Sequence, residues 1–172
     1  MRLVIATALC ALLAGCAPYG SYPPVEETAS VTRLTFEPAP TIVTTSIEWA
    51  REKETGDVAS SPIRFTLPVG SSAKAYEQIQ ERIEGSTRGN PGEPAINVRS
   101  VRVRGFDATV DITVPRDGQD PMLYTLTLKS KPFERWRVVA ERRWRFSEGD
   151  MVDVQYEGSS DTDDDIADAS RE

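Results

Sequence analysis

The stretch FDATVDITV, residues 106–114, alternates without a break. Phe106, Ala108, Val110, Ile112 and Val114 point to one side, and Asp107, Thr109, Asp111 and Thr113 to the other. A period of two marks a strand with one dry and one wet face, the habit of antiparallel sheets. Downstream, residues 115–121 place Pro115 and Pro121 around Asp117-Gly118, a turn signal. Met122, Tyr124, Leu126 and Leu128 form the next inward set. Residues 130–134, with Pro132, turn again, and Trp136, Val138 and Ala140 form a third set. Upstream, Val101 and Val103 lead through Arg104-Gly105 into Phe106. Together these segments predict a four-strand meander.

The turns also predict registers. A loop centred on Gly118 sets Ile112 opposite Tyr124 and Val110 opposite Leu126 on the dry face. On the wet face it sets Thr109 opposite Thr127 and Asp107 opposite Lys129. A tight turn at Arg104-Gly105 sets Val103 opposite Phe106 and Arg102 opposite Asp107. The expected result is a charge ladder, Arg102–Asp107–Lys129, whose cross-strand pairs contribute roughly 0.2–1 kcal/mol each.

A helix precedes the meander. Ser71 and Ser72 offer caps, Tyr76, Ile79 and Ile83 recur on one face, and Gly85 supplies a left-handed stop. Lys74, Glu77, Gln78, Glu81 and Arg82 occupy the opposite face, so the apolar side must lie on something apolar. Before it, Ile63, Phe65 and Leu67 alternate as a strand, and residues 31–36 and 42–49 are weaker strand candidates. The expected class is α+β: one amphipathic helix on a curved antiparallel sheet of about four to six strands. This order of helix and meander resembles the cystatin-like and nuclear-transport-factor-two-like folds. The resemblance implies a long helix in the concave face of a bent sheet.

The N-terminus reads differently. Arg2 is followed by an apolar run over residues 3–14, and Leu13-Ala14-Gly15-Cys16 closes it. A run of twelve residues, apolar but for Thr7, falls short of the roughly 20 needed to span a bilayer, so it reads as a signal-peptide core. The segment resembles a bacterial lipoprotein signal peptide ending in a lipobox. The resemblance implies export, cleavage before Cys16, and acyl chains such as palmitate on that cysteine. Two or more chains give stable anchoring where one does not. Ala17 follows the cysteine where relatives retained in the inner membrane carry aspartate, which favours the outer membrane. Ordinary secretion after a cut near Ala17 and a retained anchor are the competing readings.

Composition sets further bounds. There is no histidine, which removes the commonest general base and metal ligand. The chain's two cysteines are Cys10, inside the signal peptide, and Cys16, so the mature domain has no disulfide. The net charge of −7 is a property of the C-terminus. Residues 147–172 carry ten acidic groups against Arg171, whereas residues 17–146 balance 18 basic against 17 acidic. The expected organisation is signal peptide 1–15, lipidated cysteine and flexible stalk 16–30, one domain 31–146, and a disordered acidic tail 147–172. The stalk would reach about 20 Å by coil scaling. A further strand candidate spans residues 151–156.

Chemistry is sparsely signposted. Serine or cysteine catalysis with histidine is excluded by the missing residues. Asp107 and Asp111 share a face but lie about 13 Å apart along a strand, too far for a glycosidase pair. Asp161, Asp163, Asp165 and Glu172 match four positions of a calcium loop, but Ile166 stands where glycine is needed. No cofactor, metal or nucleic acid is expected. Arg135, Arg137, Arg143 and Arg145 share one parity near the last strand. They read as a solvated face, as a contact with an anionic surface, or as a dock for the acidic tail. Phe133, Trp136, Trp144 and Phe146 read as core, with a ligand pocket as the alternative. The leading expectation is a non-catalytic module that is held at a lipid bilayer through Cys16 and contacts an envelope protein or polymer. The alternative is a small-molecule domain with a pocket between helix and sheet.

Overall fold

The computed structural model describes residues 19–24, 30–53, 62–90, 92–116 and 119–144. Their order is β1 (Tyr19–Tyr22), β2 (Ser30–Val31), α1 (Ala39–Lys53), β3 (Arg64–Thr66), α2 (Ala73–Arg82), β4 (Thr87–Arg88), β5 (Ile96–Arg104), β6 (Asp107–Arg116), β7 (Gln119–Lys129) and β8 (Arg137–Arg143). The class is α+β. One open sheet of eight strands runs β2-β1-β5-β6-β7-β8, with β3 pairing β5 and β4 beside the main path. The meander β5 to β8 is antiparallel throughout. The short additions β1–β2, β3–β4 and β3–β5 are parallel, so the sheet is mixed.

The alternation in β6 places its residues as read. Ala108, Val110, Ile112 and Val114 are buried, and β7 answers with Met122, Leu126 and Leu128. Ile112 pairs with Tyr124, Val110 with Leu126 and Asp107 with Lys129. The β5–β6 turn differs from the expectation. Gly105 (φ 61) and Phe106 form a two-residue loop, so Arg104 pairs with Asp107 and Arg102 with Thr109. Phe106 therefore sits in the turn, 55% exposed, and not on the dry face. The charge ladder splits with it. Asp107 keeps Lys129 at 3.3 Å, while Arg102 reaches Asp111 at 2.6 Å.

The main correction is α1. Residues 42–49, read as a strand, belong to a helix. Ala39, Ile42, Val43, Ser46, Ile47 and Ala50 recur at helical spacing and are all buried. The β-branched content of this segment lowers its helix propensity, but propensity differences are only tenths of a kcal/mol per residue. Burying an isoleucine or valine contributes about 1.5–3 kcal/mol, so the apolar stripe decides. Ser46 tolerates burial by donating to the Ile42 carbonyl at 2.8 Å. At the far end Trp49 meets Tyr124 edge-on at 5.3 Å, and Lys53 pairs with Glu141 at 3.0 Å.

The helix on the sheet is thus α1, which contacts β5, β6 and β8; α2 lies on α1 and β4. Ser72 caps α2, accepting from the Ala75 amide, and Gly85 (φ 73) forms the turn beyond its end. Tyr76 stacks on Phe65 at 5.8 Å and accepts from the Leu67 amide. Two more expectations change. Of residues 31–36, only Val31 is in a strand, and Tyr19–Tyr22, expected in the stalk, pairs with β5 inside the sheet. The candidate strand 151–156 and the acidic tail lie outside the described residues.

Candidate functional site

The interface between α1 and the sheet is apolar and buried. Ile42, Ile47, Val98, Val101, Val110, Ile112, Leu126 and Leu128 are fully buried against one another. A pocket was expected there by the small-molecule reading. An open cleft of about 590 Å³ lies beside α1, between it and the start of β8, lined by Thr41, Thr44, Thr45, Glu48, Arg82, Arg135 and Trp136. Thr41, Thr44, Thr45 and Glu48 recur at i, i+3, i+4 and i+7, so α1 presents a polar stripe next to its apolar one. That stripe was readable at helical spacing and was missed because the segment was taken for a strand.

Arg82, in the last turn of α2, spans the cleft wall. Its guanidinium donates to Thr41 at 2.9 Å and to Glu37 at 2.6 Å, clamping α2 to the start of α1. Thr41 donates to the other Glu37 oxygen at 2.7 Å. Partial burial works to raise the Glu37 pKa, but the hydrogen bonds from Thr41 and Arg82 and the Arg82 charge win, holding it below the usual carboxylate value. Trp136 packs its ring against the core while bordering the cleft. Thr44 Oγ1 is buried without a hydrogen-bond partner.

The arginines do not form one face. A β-bulge between Thr127 and Leu128 shifts the pairing of β7 with β8. Arg137 therefore pairs with Lys129 on the outer face and Arg143 with Tyr124 on the inner face. Arg137 is bound to Glu134 at 3.0 Å, and Arg143 Nε donates to the Met122 sulfur at 3.3 Å. Arg135 is exposed at the cleft rim. Cys16, Arg145 and Phe146 lie outside the described residues. Of the aromatic set, Trp136 joins the core, Trp144 is half-buried, and Phe133 is fully exposed with φ 66, a left-handed backbone unusual for a bulky side chain.

The outer face carries a network that the sequence did not announce. Asp111 accepts from Ser100 Oγ at 2.7 Å and Arg102 Nη2 at 2.6 Å on one oxygen, and from Thr125 Oγ1 at 2.6 Å on the other. Thr125 in turn accepts from Trp144 Nε1 at 2.9 Å. Arg99 Nε donates to Thr113 at 2.8 Å beside it. This ties β5, β6, β7 and the end of β8 together. Asp111 is therefore a cross-strand hub, whereas Asp107 is the exposed wet-face charge expected of both.

Among the described residues, no group of three or more metal-ligating side chains converges, and no helix is long and apolar enough to cross a membrane. No family model, curated protein or solved structure matches this chain.

Proposed function

We propose that this chain is an exported envelope lipoprotein, acylated at Cys16, whose single α+β domain is a non-catalytic interaction module at a membrane surface. The outer membrane is favoured, because Ala17 follows the acylated cysteine. The observation that carries the module reading is where the apolar surface lies. The apolar side chains of α1 and of the sheet's inner face are buried together, while Phe106 and Phe133 stand exposed on loops. A surface of that kind suits a contact rather than an internal ligand. Among the described residues β8 is an edge of the sheet and adds a second place for a partner, although Arg137, Glu141, Arg142 and Arg143 blunt it against indiscriminate pairing.

The test is the Cys16→Ser chain. The expected outcome is loss of the lipid mass and release from the membrane fraction. Identical fractionation and identical mass for the two chains would overturn the proposal. Affinity capture of the acylated protein from membranes would then identify the partner.

The cleft favours a second reading, binding of a small polar anion. Arg82 and Arg135 supply positive charge, three threonines and Glu48 supply hydroxyls and an acceptor, and Trp136 supplies a flat apolar wall. Titration with acidic saccharides against Arg135→Ala decides it.

A further inference from the structure

Register places five strands level at one end of the sheet. Tyr19 pairs with Arg104, Arg104 with Asp107, Asp107 with Lys129, and Lys129 with Arg137. Just beyond this row lie the β5–β6 turn and the β7–β8 loop, held together by the Ser130 amide donating to the Phe106 carbonyl at 2.9 Å. The two loops carry Phe106, 55% exposed, and Phe133, wholly exposed. Around these rings the charge is mostly positive. Arg104, Lys131 and Arg135 are exposed, Lys129 stands in the row against Asp107, and Glu134 is shared by Arg137 at 3.0 Å and Lys131 at 3.7 Å, which leaves five cations against two carboxylates.

The same end receives the anchor. β1 begins at Tyr19, so Ala17 and Pro18 alone separate Cys16 from the sheet. Three residues reach about 10 Å when fully extended. The 14-residue stalk expected from composition is therefore mostly consumed, and a lipid on Cys16 leaves this end of the domain within about 10 Å of the bilayer surface. The last described residue, Trp144, lies at the opposite end. β8 runs away from the row, and Trp144 pairs back to Leu123 before the acidic residues 147–172 begin. Seven residues of strand separate the two ends by about 20 Å, more than two screening lengths at physiological salt.

We infer that this end of the sheet seats on the bilayer that holds Cys16, with Phe106 and Phe133 in the headgroup layer and Arg104, Lys131 and Arg135 on anionic phospholipid. Aromatic rings with flanking cations are the usual composition of an interfacial contact. The seat rests on the lipoprotein reading above and goes beyond it. It makes the domain oriented rather than free on a tether.

The experiment uses the full acylated chain reconstituted in phosphatidylcholine vesicles containing about 30 mol% phosphatidylglycerol. A fluorophore is placed at Phe106→Cys, Phe133→Cys or Asp120→Cys, the last at the far end of the sheet. All three sites are exposed, so the fold is not disturbed. Quenching by nitroxide-labelled lipid should be at least about fivefold stronger at positions 106 and 133 than at 120. Replacing phosphatidylglycerol with phosphatidylcholine, or adding Lys131→Glu, should reduce it about twofold. Equal quenching at the three sites, or indifference to both changes, in protein whose mass shows acylated Cys16, overturns the seat and leaves the lipoprotein reading standing. An unmodified Cys16 overturns both.

Discussion

The two faces of the sheet are stabilised in different ways. The inner face is apolar and covered by α1, and its stability is spread over many side chains that are each fully buried. The outer face is polar, and its order converges on one carboxylate, Asp111, with three side-chain donors. Apolar burial is non-directional, so any one contact is replaceable in kind though not in volume. A hydrogen-bond hub is directional, and removing its acceptor strands every donor aimed at it. The outer network already has one loose end, since Arg102 Nε is buried without a partner.

The largest effect that would break this comparison is on the inner face. Leu126→Ala empties a fully buried site facing α1 and should cost about 2–5 kcal/mol. Urea unfolding would read it as a lower midpoint. A loss under about 1 kcal/mol would mean that α1 and the sheet are not packed as described. The outer hub comes next. Asp111→Ala leaves Ser100, Arg102 and Thr125 without their acceptor and should cost about 1–3 kcal/mol. Asp111→Asn, which keeps the shape and one oxygen, should cost less. If the two substitutions cost the same, the charge on Asp111 and not its geometry organises the face.

The same contrast explains what could be read in advance. The meander was legible because β6 alternates strictly and is bounded by Asp-Gly and proline turns, which set both the face and the register of β7. Asp107 and Asp111 looked equivalent, since both stand at wet-face positions. Their difference comes from partners on β5 and β7: Thr125 follows from the Gly118 register, but Ser100 and Arg102 come within reach of Asp111 because the turn at Gly105-Phe106 has two residues, which a pattern of period two does not encode. α1 was hidden for another reason. Its threonines, valine and isoleucines favour strands locally, and only the sheet it covers makes the helix pay as a burial surface. With the helix missed, its polar stripe and the cleft were missed too. β1 was hidden because Tyr19-Gly20-Ser21-Tyr22 has the composition of a linker and becomes a strand only beside β5. Residues 13–16 carry the lipobox resemblance, but nothing in them shows that β1 starts as early as Tyr19.

A smaller effect sharpens the comparison within the outer face. Asp107→Lys sets a third cation beside Lys129 and Arg104 and should cost about 0.2–1 kcal/mol, less than either change at Asp111. Added salt should recover part of it, because the site is exposed. An effect as large as that of Asp111→Ala would show that exposure does not separate the two carboxylates.

The smallest effect belongs to a carboxylate on neither face. Glu37 joins the helices through Arg82 and Thr41, and its side chain is 56% exposed. Its folded pKa lies below the ordinary glutamate value, so folding favours the ionised form. The stability it contributes is therefore complete above that value and is lost as pH falls through the lower, folded-state pKa. Exposed pairs of this kind contribute about 0.2–1 kcal/mol before salt screening. Glu37→Gln should leave the unfolding midpoint slightly lower at neutral pH and indistinguishable from the parent chain once the pH falls below the lowered folded-state pKa, where the parent carboxylate is protonated as well. Urea titrations across that range check it. A difference that persists or grows in acid would mean that Glu37 holds α2 to α1 through the geometry of its hydrogen bonds and not through its charge.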